Sequence, residues 1–117
     1  MSILRVAISV AVLILSATPV HGEANANKII EILDAGGQNA TITTFWLSGV
    51  ENGTSWVNAT LFQKGQKRLY CVPSTLSLTH DQTARIFRDF VKANPIYGSA
   101  PAGMVMLHAM VSTFPCE

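Results

Sequence analysis

Two cysteines are the residues of this sequence best suited to covalent chemistry. Cys71 and Cys116 are the only ones, so a bridge within one chain must join them. In an oxidising compartment we expect this disulfide, and closing a loop of roughly 45 residues would stabilise the fold by about 4 kcal/mol if chain entropy is the cause. In a reducing compartment they would be two buried thiols. A bridged pair leaves no thiolate to act as a nucleophile.

The histidines and carboxylates form no recognisable catalytic set. His80 precedes Asp81 in the first turn of a predicted helix, where the macrodipole disfavours a cation, so we expect it on the surface. His108 lies on an apolar helical stripe and is expected to pack in the core or at an interface. Zinc would need more ligands than this spacing assembles, and no Ser-His-Asp order or glycine-rich phosphate loop stands out. We therefore expect a binding protein without cofactor or metal, not an enzyme.

The start of the chain has the pattern of a secretory signal peptide. Arg5 supplies the positive charge, residues 6–15 form an apolar run, and Val20-His21-Gly22 offers small residues for cleavage. Cleavage after Ala24 or Ala26 is the alternative. The apolar run is shorter than the roughly 20 residues that a membrane span needs.

These observations divide the chain into a signal peptide, residues 1–22, and one domain, residues 23–117. The whole chain has 8 Lys and Arg against 7 Asp and Glu, and only Arg5 is lost with the signal. The domain therefore has 8 − 1 = 7 basic and 7 acidic residues and a formal charge of zero. Neither nucleic acid nor an anionic membrane surface is indicated as a partner.

Helical patterns dominate the first two thirds of the domain. Residues 25–34 have helix formers with apolar positions on one side, and Gly36-Gly37 is expected to end that helix. Residues 39–61 are ambiguous, because their start is rich in β-branched and aromatic residues, but helical spacing continues for nearly six turns. We therefore predict a helix, with Trp46 and Trp56 in the core. Its two glycines, Gly49 and Gly53, should be compensated by a close-packed neighbour.

The last third predicts a helical hairpin. Thr79 and Gln82 fit a capping box, followed by an apolar face that ends at Asn94-Pro95. We expect the second helix to begin with Ser99 as its cap and Pro101 in its first turn. Its expected inner stripe is Met104, Val105, His108, Val111 and Ser112. The predicted fold is all-α: a single-domain bundle of about four helices whose C-terminal hairpin is stapled by one disulfide.

Several motifs in this order resemble the Rap/Tai family of bacterial immunity proteins. They are the signal peptide, the aromatic and glycine-rich helix at 45–50, Tyr70-Cys71-Val72-Pro73, a helix ending near Asn94-Pro95, Ala100-Pro101-Ala102 and Phe114-Pro115-Cys116. The resemblance implies a small helical periplasmic protein, often a homodimer. It further implies that the protein protects its producer from a peptidoglycan amidase delivered by type VI secretion, by occluding the amidase's active site.

A surface for that partner is predicted on the third helix and the loop after it. Arginine and tyrosine are enriched at binding hot spots, and a tight loop could present an apolar side chain to a cleft. The predicted partner-binding residues are Arg85, Arg88, Asp89, Lys92, Ile96 and Tyr97. The alternative is that Tyr97 folds back on the hairpin and the charges are only solvated.

A second function remains open from the sequence. Periplasmic acid-stress chaperones of the HdeA type are also small, helical and held by one disulfide. Such a protein would expose apolar surface when its carboxylates are protonated. The seven acidic residues of this chain form no cluster, which makes a poor acid trigger.

Overall fold

The computed structural model describes residues 23–117, and the predicted signal peptide lies outside the described part. Four α-helices follow one another, α1 (Ala26–Ala35), α2 (Gly37–Gln63), α3 (His80–Ala93) and α4 (Ala102–Thr113), with a 3-10 helix (Pro95–Ser99) before α4. Within residues 23–117 the only strand-like pairing is an isolated bridge between Asn25 and Pro101. The predicted all-α fold of about four helices is confirmed.

Two glycines mark the boundary between α1 and α2. Asn25 begins α1, because its side-chain oxygen accepts a hydrogen bond of 2.9 Å from the Lys28 backbone N–H. Gly36 and Gly37 have φ values of 69° and 75°, a left-handed backbone that glycine adopts without steric cost. The predicted end of the first helix is confirmed. The next helix, however, begins directly at Gly37, two residues before the predicted position.

The helical interpretation of the ambiguous middle segment is confirmed, but its predicted core face is wrong. Leu47 and Asn58 are the buried residues of α2. Trp46 is 39% exposed and Trp56 is 70% exposed, so neither indole lies in the core. Helical periodicity shows that a helix has an apolar face, but it does not show whether the rest of the chain covers that face. Here the side that packs on the bundle is the more polar one.

The expected neighbour of the two α2 glycines is also missing from the part of the chain that the structure describes. A Cβ built on Gly49 or Gly53 would meet no atom within 4 Å other than the helix's own backbone. Each glycine costs a helix interior about 1 kcal/mol relative to alanine. Nothing within residues 23–117 offsets that cost by close packing.

The polar groups on the inner side of α2 find their hydrogen-bond partners in a cluster that we call the α2 clamp. The Asn58 side chain donates 2.9 Å to the Tyr70 carbonyl and accepts 2.7 Å from the Leu69 backbone N–H. The Tyr70 hydroxyl lies 2.9 Å from the Thr54 hydroxyl and donates 3.4 Å to the Glu51 carbonyl. Buried polar groups must find partners, and here they tie the loop before Cys71 to α2.

Local signals for α3 are accurate. The Thr79 hydroxyl accepts from the Gln82 backbone N–H at 3.1 Å, and the Gln82 side chain accepts from the Thr79 backbone N–H at 2.9 Å. This reciprocal pair is the predicted capping box. The helix ends at Ala93, and Asn94 is its C-cap, as predicted from Asn94-Pro95.

The start predicted for α4 is wrong. Ser99 ends the 3-10 helix, and Pro101 takes the N-cap position, where it offers no side-chain hydrogen bond. The cap comes from far away in sequence, since the Glu23 carboxylate accepts 2.6 Å from the Gly103 N–H. The Ala24 carbonyl also accepts 3.0 Å from Ala102 N–H. We call residues 23–26 the N-terminal strap.

The inner face predicted for α4 is only partly right. Val105 is buried as predicted, but Met104, His108, Val111 and Ser112 are exposed. This helix is apolar on most sides, so its sequence does not single out one face. The core is formed by side chains from all four helices and the loop before Cys71: Ile29, Leu33, Leu47, Tyr70, Phe87, Val91, Val105, Met106, Ala109 and Met110.

The Cys71–Cys116 disulfide is formed, as expected for an oxidising compartment. A backbone hydrogen bond of 2.8 Å from Cys71 N–H to the Phe114 carbonyl lies beside it. Together with the α2 clamp, these contacts fasten residues 69–71 between α2 and the end of α4. The staple therefore joins the loop before α3 to the segment after α4.

Candidate partner-binding surface

The six predicted partner-binding residues occupy consecutive elements of the fold. Arg85, Asp89 and Lys92 are exposed on α3, and Arg88 is partly buried. Ile96 and Tyr97 follow in the 3-10 helix, which begins two residues after α3 ends. The α3 face therefore runs along the helix and leads into the 3-10 helix.

Arg88 already has a partner within the chain. Its guanidinium donates 2.5 Å to the Asp34 carboxylate, which links α3 to the end of α1. Both side chains are about half exposed, and exposed ion pairs contribute only about 0–1 kcal/mol. Arg85, Asp89 and Lys92 form no ion pair in the described part of the chain. These three charges are the ones free to meet a partner.

Tyr97 folds back on the hairpin, which is the alternative geometry given above. Its ring centroid lies 5.1 Å from that of Phe90 and 5.3 Å from that of His108. His108 is thus an exposed residue that covers Tyr97 and does not lie in the core, the first of the two positions expected for it. Aromatic pairs at such distances contribute about 0.5–1.5 kcal/mol beyond the area that they bury.

Ile96 is the side chain that the 3-10 helix presents outward. It is 85% exposed, the largest exposure among the large apolar residues of residues 23–117. The turn that contains it is closed by hydrogen bonds of 3.0 Å from Tyr97 N–H to Asn94 O and from Ala100 N–H to Tyr97 O. The backbone on both sides of the apolar tip is therefore held within the chain before any partner arrives.

A groove of about 680 Å³ lies between the first half of α2 and α3. Arg85 and Arg88 line one side, and Phe45 and His80 line the other end. The His80 ring packs edge-on against Phe45 with centroids 4.7 Å apart, and its Nδ1 lies 2.7 Å from the Ser48 hydroxyl. Sequence reasoning placed His80 on the surface correctly but missed this contact, because its partners lie over 30 residues away.

The outer side of α2 carries an exposed apolar surface that sequence reasoning assigned to the core. We call it the α2 stripe. Its positions recur at helical spacing on the side opposite Leu47 and Asn58. The stripe consists of Ile42, Phe45, Trp46, Gly49, Gly53, Trp56, Val57 and Thr60, all of them exposed. A contiguous exposed surface that contains several large apolar side chains usually marks an interaction site.

Two shifted pKa values belong to the α2 clamp. Burial raises the pKa of the Glu51 carboxyl above its ordinary value. Burial also raises the pKa of the Tyr70 hydroxyl; the nearby Glu51 charge adds to the rise, and the hydrogen bond with Thr54 opposes it. Tyr70 packs against the inner side of α2, where Glu51 is also partly buried, so both shifts follow from packing.

Residues 23–117 contain neither a candidate metal site nor a helix suited to span a membrane. No group of three or more His, Cys, Asp or Glu side chains in this range is placed to hold a metal ion. None of its helices combines the length and the apolar character needed to cross a membrane.

The fold and these surfaces define a class, a small all-α domain stapled by one disulfide that presents side chains for contact on α3, the 3-10 helix and α2. Residues 34–116 match the family of Rap1a immunity proteins. The chain belongs to this family, which confirms the resemblance noted from the sequence. Comparisons with curated proteins and with solved structures find no match. Membership implies a type VI effector immunity protein that binds a cognate effector, an inhibitor rather than an enzyme.

Proposed function

We propose that this chain is a periplasmic immunity protein that occludes the active-site cleft of a type VI secreted peptidoglycan amidase. In this proposal residues 1–22 are a signal peptide that is removed on export, and the domain of residues 23–117 acts as a homodimer. Family membership over residues 34–116 is the observation that carries it. The disulfide agrees with an oxidising compartment such as the periplasm.

Inhibition by occlusion requires a surface that enters a cleft without being cut or rearranged. Ile96 protrudes from a short helix whose next residue, Tyr97, is packed between Phe90 and His108. A rigid apolar tip pays little conformational entropy on binding. We assign Ile96 as the side chain that enters the cleft, with Tyr97 as the support beneath it.

Charged residues on α3 would then surround the tip and select the partner. Arg85, Asp89 and Lys92 are exposed, carry both signs and lie on the element that leads directly into the tip. Charges at the rim of an interface mainly set association rate and specificity. Arg88 would contribute less, because its guanidinium is engaged by Asp34.

The direct test titrates the oxidised chain against secreted cysteine amidases encoded beside its gene. Hydrolysis of purified peptidoglycan is followed by the release of free amino groups. We expect inhibition that is complete near a one-to-one molar ratio. If equimolar chain leaves every such amidase fully active, the proposed function is wrong. Suppression of the aggregation of acid-unfolded proteins, without amidase inhibition, would support the acid-stress chaperone instead.

Two substitutions test whether Ile96 and Tyr97 form the contact surface, independently of whether the chain inhibits an amidase. Ile96→Asp should weaken inhibition about tenfold or more, the effect of losing an interface anchor of at least about 1.4 kcal/mol. Leu76→Asp is the matched control, because Leu76 is an exposed apolar residue in the loop between α2 and α3. If Ile96→Asp inhibits as well as the control, the tip is not the contact even though immunity stands. Tyr97→Ala should also weaken inhibition, by about 1 kcal/mol or more.

A further inference from the structure

The α2 stripe is exposed along its length, and within residues 23–117 only Phe45, at one edge, has a ring contact, with His80 of α3. We propose that two copies of this chain pair through it, with their α2 helices antiparallel and crossing at Gly49 and Gly53. The inference rests on the homodimer of the proposed function and says where its interface lies. Four independent properties of the stripe support this pairing.

The stripe is symmetric along the helix, as a twofold antiparallel contact requires. About the level of Glu51, Gly49 is matched by Gly53 and Trp46 by Trp56. Phe45 and Val57 form the next matched pair, and Ile42 and Thr60 the outermost one. In a twofold dimer one surface meets its own copy, so each residue must be compatible with its symmetry mate. Here glycine faces glycine at the centre and indole faces indole on either side.

The glycines supply the room for a close crossing. Packed helices usually lie 8–10 Å apart, and small residues at the crossing point let the backbones approach more closely. Gly49 and Gly53 are one turn apart on the exposed side, and no atom of residues 23–117 outside the helix's own backbone lies within 4 Å of the place of either missing side chain. Their cost to the helix is unexplained in one copy and is explained by a second helix lying across them.

The stripe also has the composition of an interface. In its 27 residues α2 has a single charged residue, Glu51, and that residue lies on the inner side. Depletion of charge and enrichment of aromatic residues distinguish the centre of an interface from ordinary surface. A solvated helix face would normally carry several charges.

The exposed area is close to what a stable dimer needs. The five large side chains of the stripe, Ile42, Phe45, Trp46, Trp56 and Val57, leave on the order of 600 Å² in water per copy. A standard interface buries about 800 Å² per partner, and the polar flanks of α2 would add the remainder. A hollow of about 280 Å³ beside Trp56 and Thr60 lies where the second copy's Ile42 would enter.

The pairing leaves most of the proposed toxin surface free. The stripe faces away from Leu47 and Asn58, the side on which α2 packs against the bundle. Ile96, Asp89 and Lys92 lie on other elements and do not line the groove beside Phe45, whereas Arg85 does. Pairing and amidase binding can therefore be measured independently in the same protein.

The test is sedimentation of the chain purified from periplasm with its disulfide intact, from micromolar to near-millimolar concentration. We expect a reversible monomer–dimer equilibrium. Gly49→Leu, Gly53→Leu and Trp56→Ala should each weaken the dimer about tenfold or more. The glycine variants should keep or raise the melting temperature of the monomer, because leucine is the better helix former and has space. Phe62→Ala is the matched control, since Phe62 is also exposed on α2 but lies off the stripe.

Cross-linking tests the direction of the helices. A mixture of Ile42→Cys and Thr60→Cys variants should form a mixed cross-linked dimer with a short thiol reagent, and Ile42→Cys alone should form little. Parallel helices would give the reverse. A chain that is monomeric throughout, or a dimer that all three substitutions leave unchanged, would overturn the inference.

The two proposals can fail separately. A monomer that inhibits its amidase at equal molar ratio would remove the dimer and keep immunity. A dimer that the α2 variants break, but that inhibits no amidase, would keep the pairing and remove the proposed function. If the wild type is monomeric and the stripe variants lose amidase binding, the stripe is the toxin surface and the pairing is wrong.

Discussion

Replacing Asn58 by alanine removes the centre of the α2 clamp and should strongly destabilise the domain. The substitution deletes the 2.9 Å bond to the Tyr70 carbonyl and the 2.7 Å bond from the Leu69 N–H. Asn58 is buried, so the Tyr70 carbonyl loses its partner where water enters poorly. A buried polar group left without a partner costs about 1–3 kcal/mol.

The two lost bonds are not equivalent. Leu69 is partly exposed, so water can reach its N–H and the loss there falls at the lower end of that range. Alanine is also a better helix former than asparagine, which offsets about 0.5 kcal/mol. The expected net loss is about 2–3 kcal/mol in the free energy of unfolding. For a domain of this size, that lowers the melting temperature by roughly 10 °C or more.

Urea unfolding followed by circular dichroism measures this loss directly. The midpoint should fall while the dependence on urea concentration stays the same, because the folded state remains compact. Asn52→Ala is the matched control, since Asn52 is an exposed asparagine of the same helix, and its change should stay within about 0.5 kcal/mol. A loss below about 1 kcal/mol for Asn58→Ala would show that water or a rearranged loop replaces the clamp, and the reasoning would be refuted.

Three further predictions concern the staple, a buried carboxyl and a helix cap. Changing Cys71 and Cys116 to serine opens a loop with a sequence separation of 45 and should cost about 4 kcal/mol in urea unfolding. A loss below about 1 kcal/mol would mean that the bridge does not stabilise the fold by restraining the unfolded chain. The raised pKa of Glu51 means that the folded state binds its proton more tightly than the unfolded state, so this residue contributes stability at acid pH that is lost as pH rises through the raised value. Glu51→Gln should therefore gain stability relative to the wild type at neutral pH, and the difference should shrink as pH falls; a constant difference across melting curves from pH 4 to 7 would contradict this. Thr79→Ala removes one half of the capping box with Gln82 and should cost about 1 kcal/mol by thermal unfolding; no change would mean that Thr79 contributes little to the start of α3.

Local signals in the sequence predicted much of the fold. The capping box at Thr79, the stop at Asn94-Pro95 and the break at Gly36 each depend on residues within one turn of one another. A short-range pattern is sufficient for them, because the hydrogen bonds that they describe close over three or four residues. The disulfide pairing could be predicted equally well, because the sequence contains only two cysteines.

The errors concern which side of a helix is covered. The inner side of α2 is held by Asn58, whose partners Leu69 and Tyr70 follow 11 and 12 residues later. The spacing of apolar residues along α2 does not reveal these hydrogen bonds, and it predicts instead that the side with Trp46 and Trp56 faces the core. The start of α4 failed for a similar reason, because its cap is a carboxylate from the other end of the domain.

The surface prediction shows the same limit. Arg85, Asp89 and Lys92 were recognised as a polar helix face, which a 3.6-residue period reveals. The folding of Tyr97 back on the hairpin was given as an alternative, but its partners Phe90 and His108 were not, because they depend on how α3 and α4 pack together. The outward position of Ile96 follows from that packing.

The N-terminal strap sets the order in which this domain can be completed. Glu23 reaches Gly103 across 80 residues, so the start of the domain must wait for almost all of it before its last contacts form. A chain emerges N-terminus first from a ribosome or a translocation channel. The strap therefore cannot contact α4 while α4 is still inside the ribosome or the channel. The contacts between the strap and α4 are therefore the last to become possible, whereas α1, α2 and α3 can pack against one another earlier. If the chain is exported unfolded, as the proposed signal peptide requires, the strap closes only after α4 has crossed the membrane.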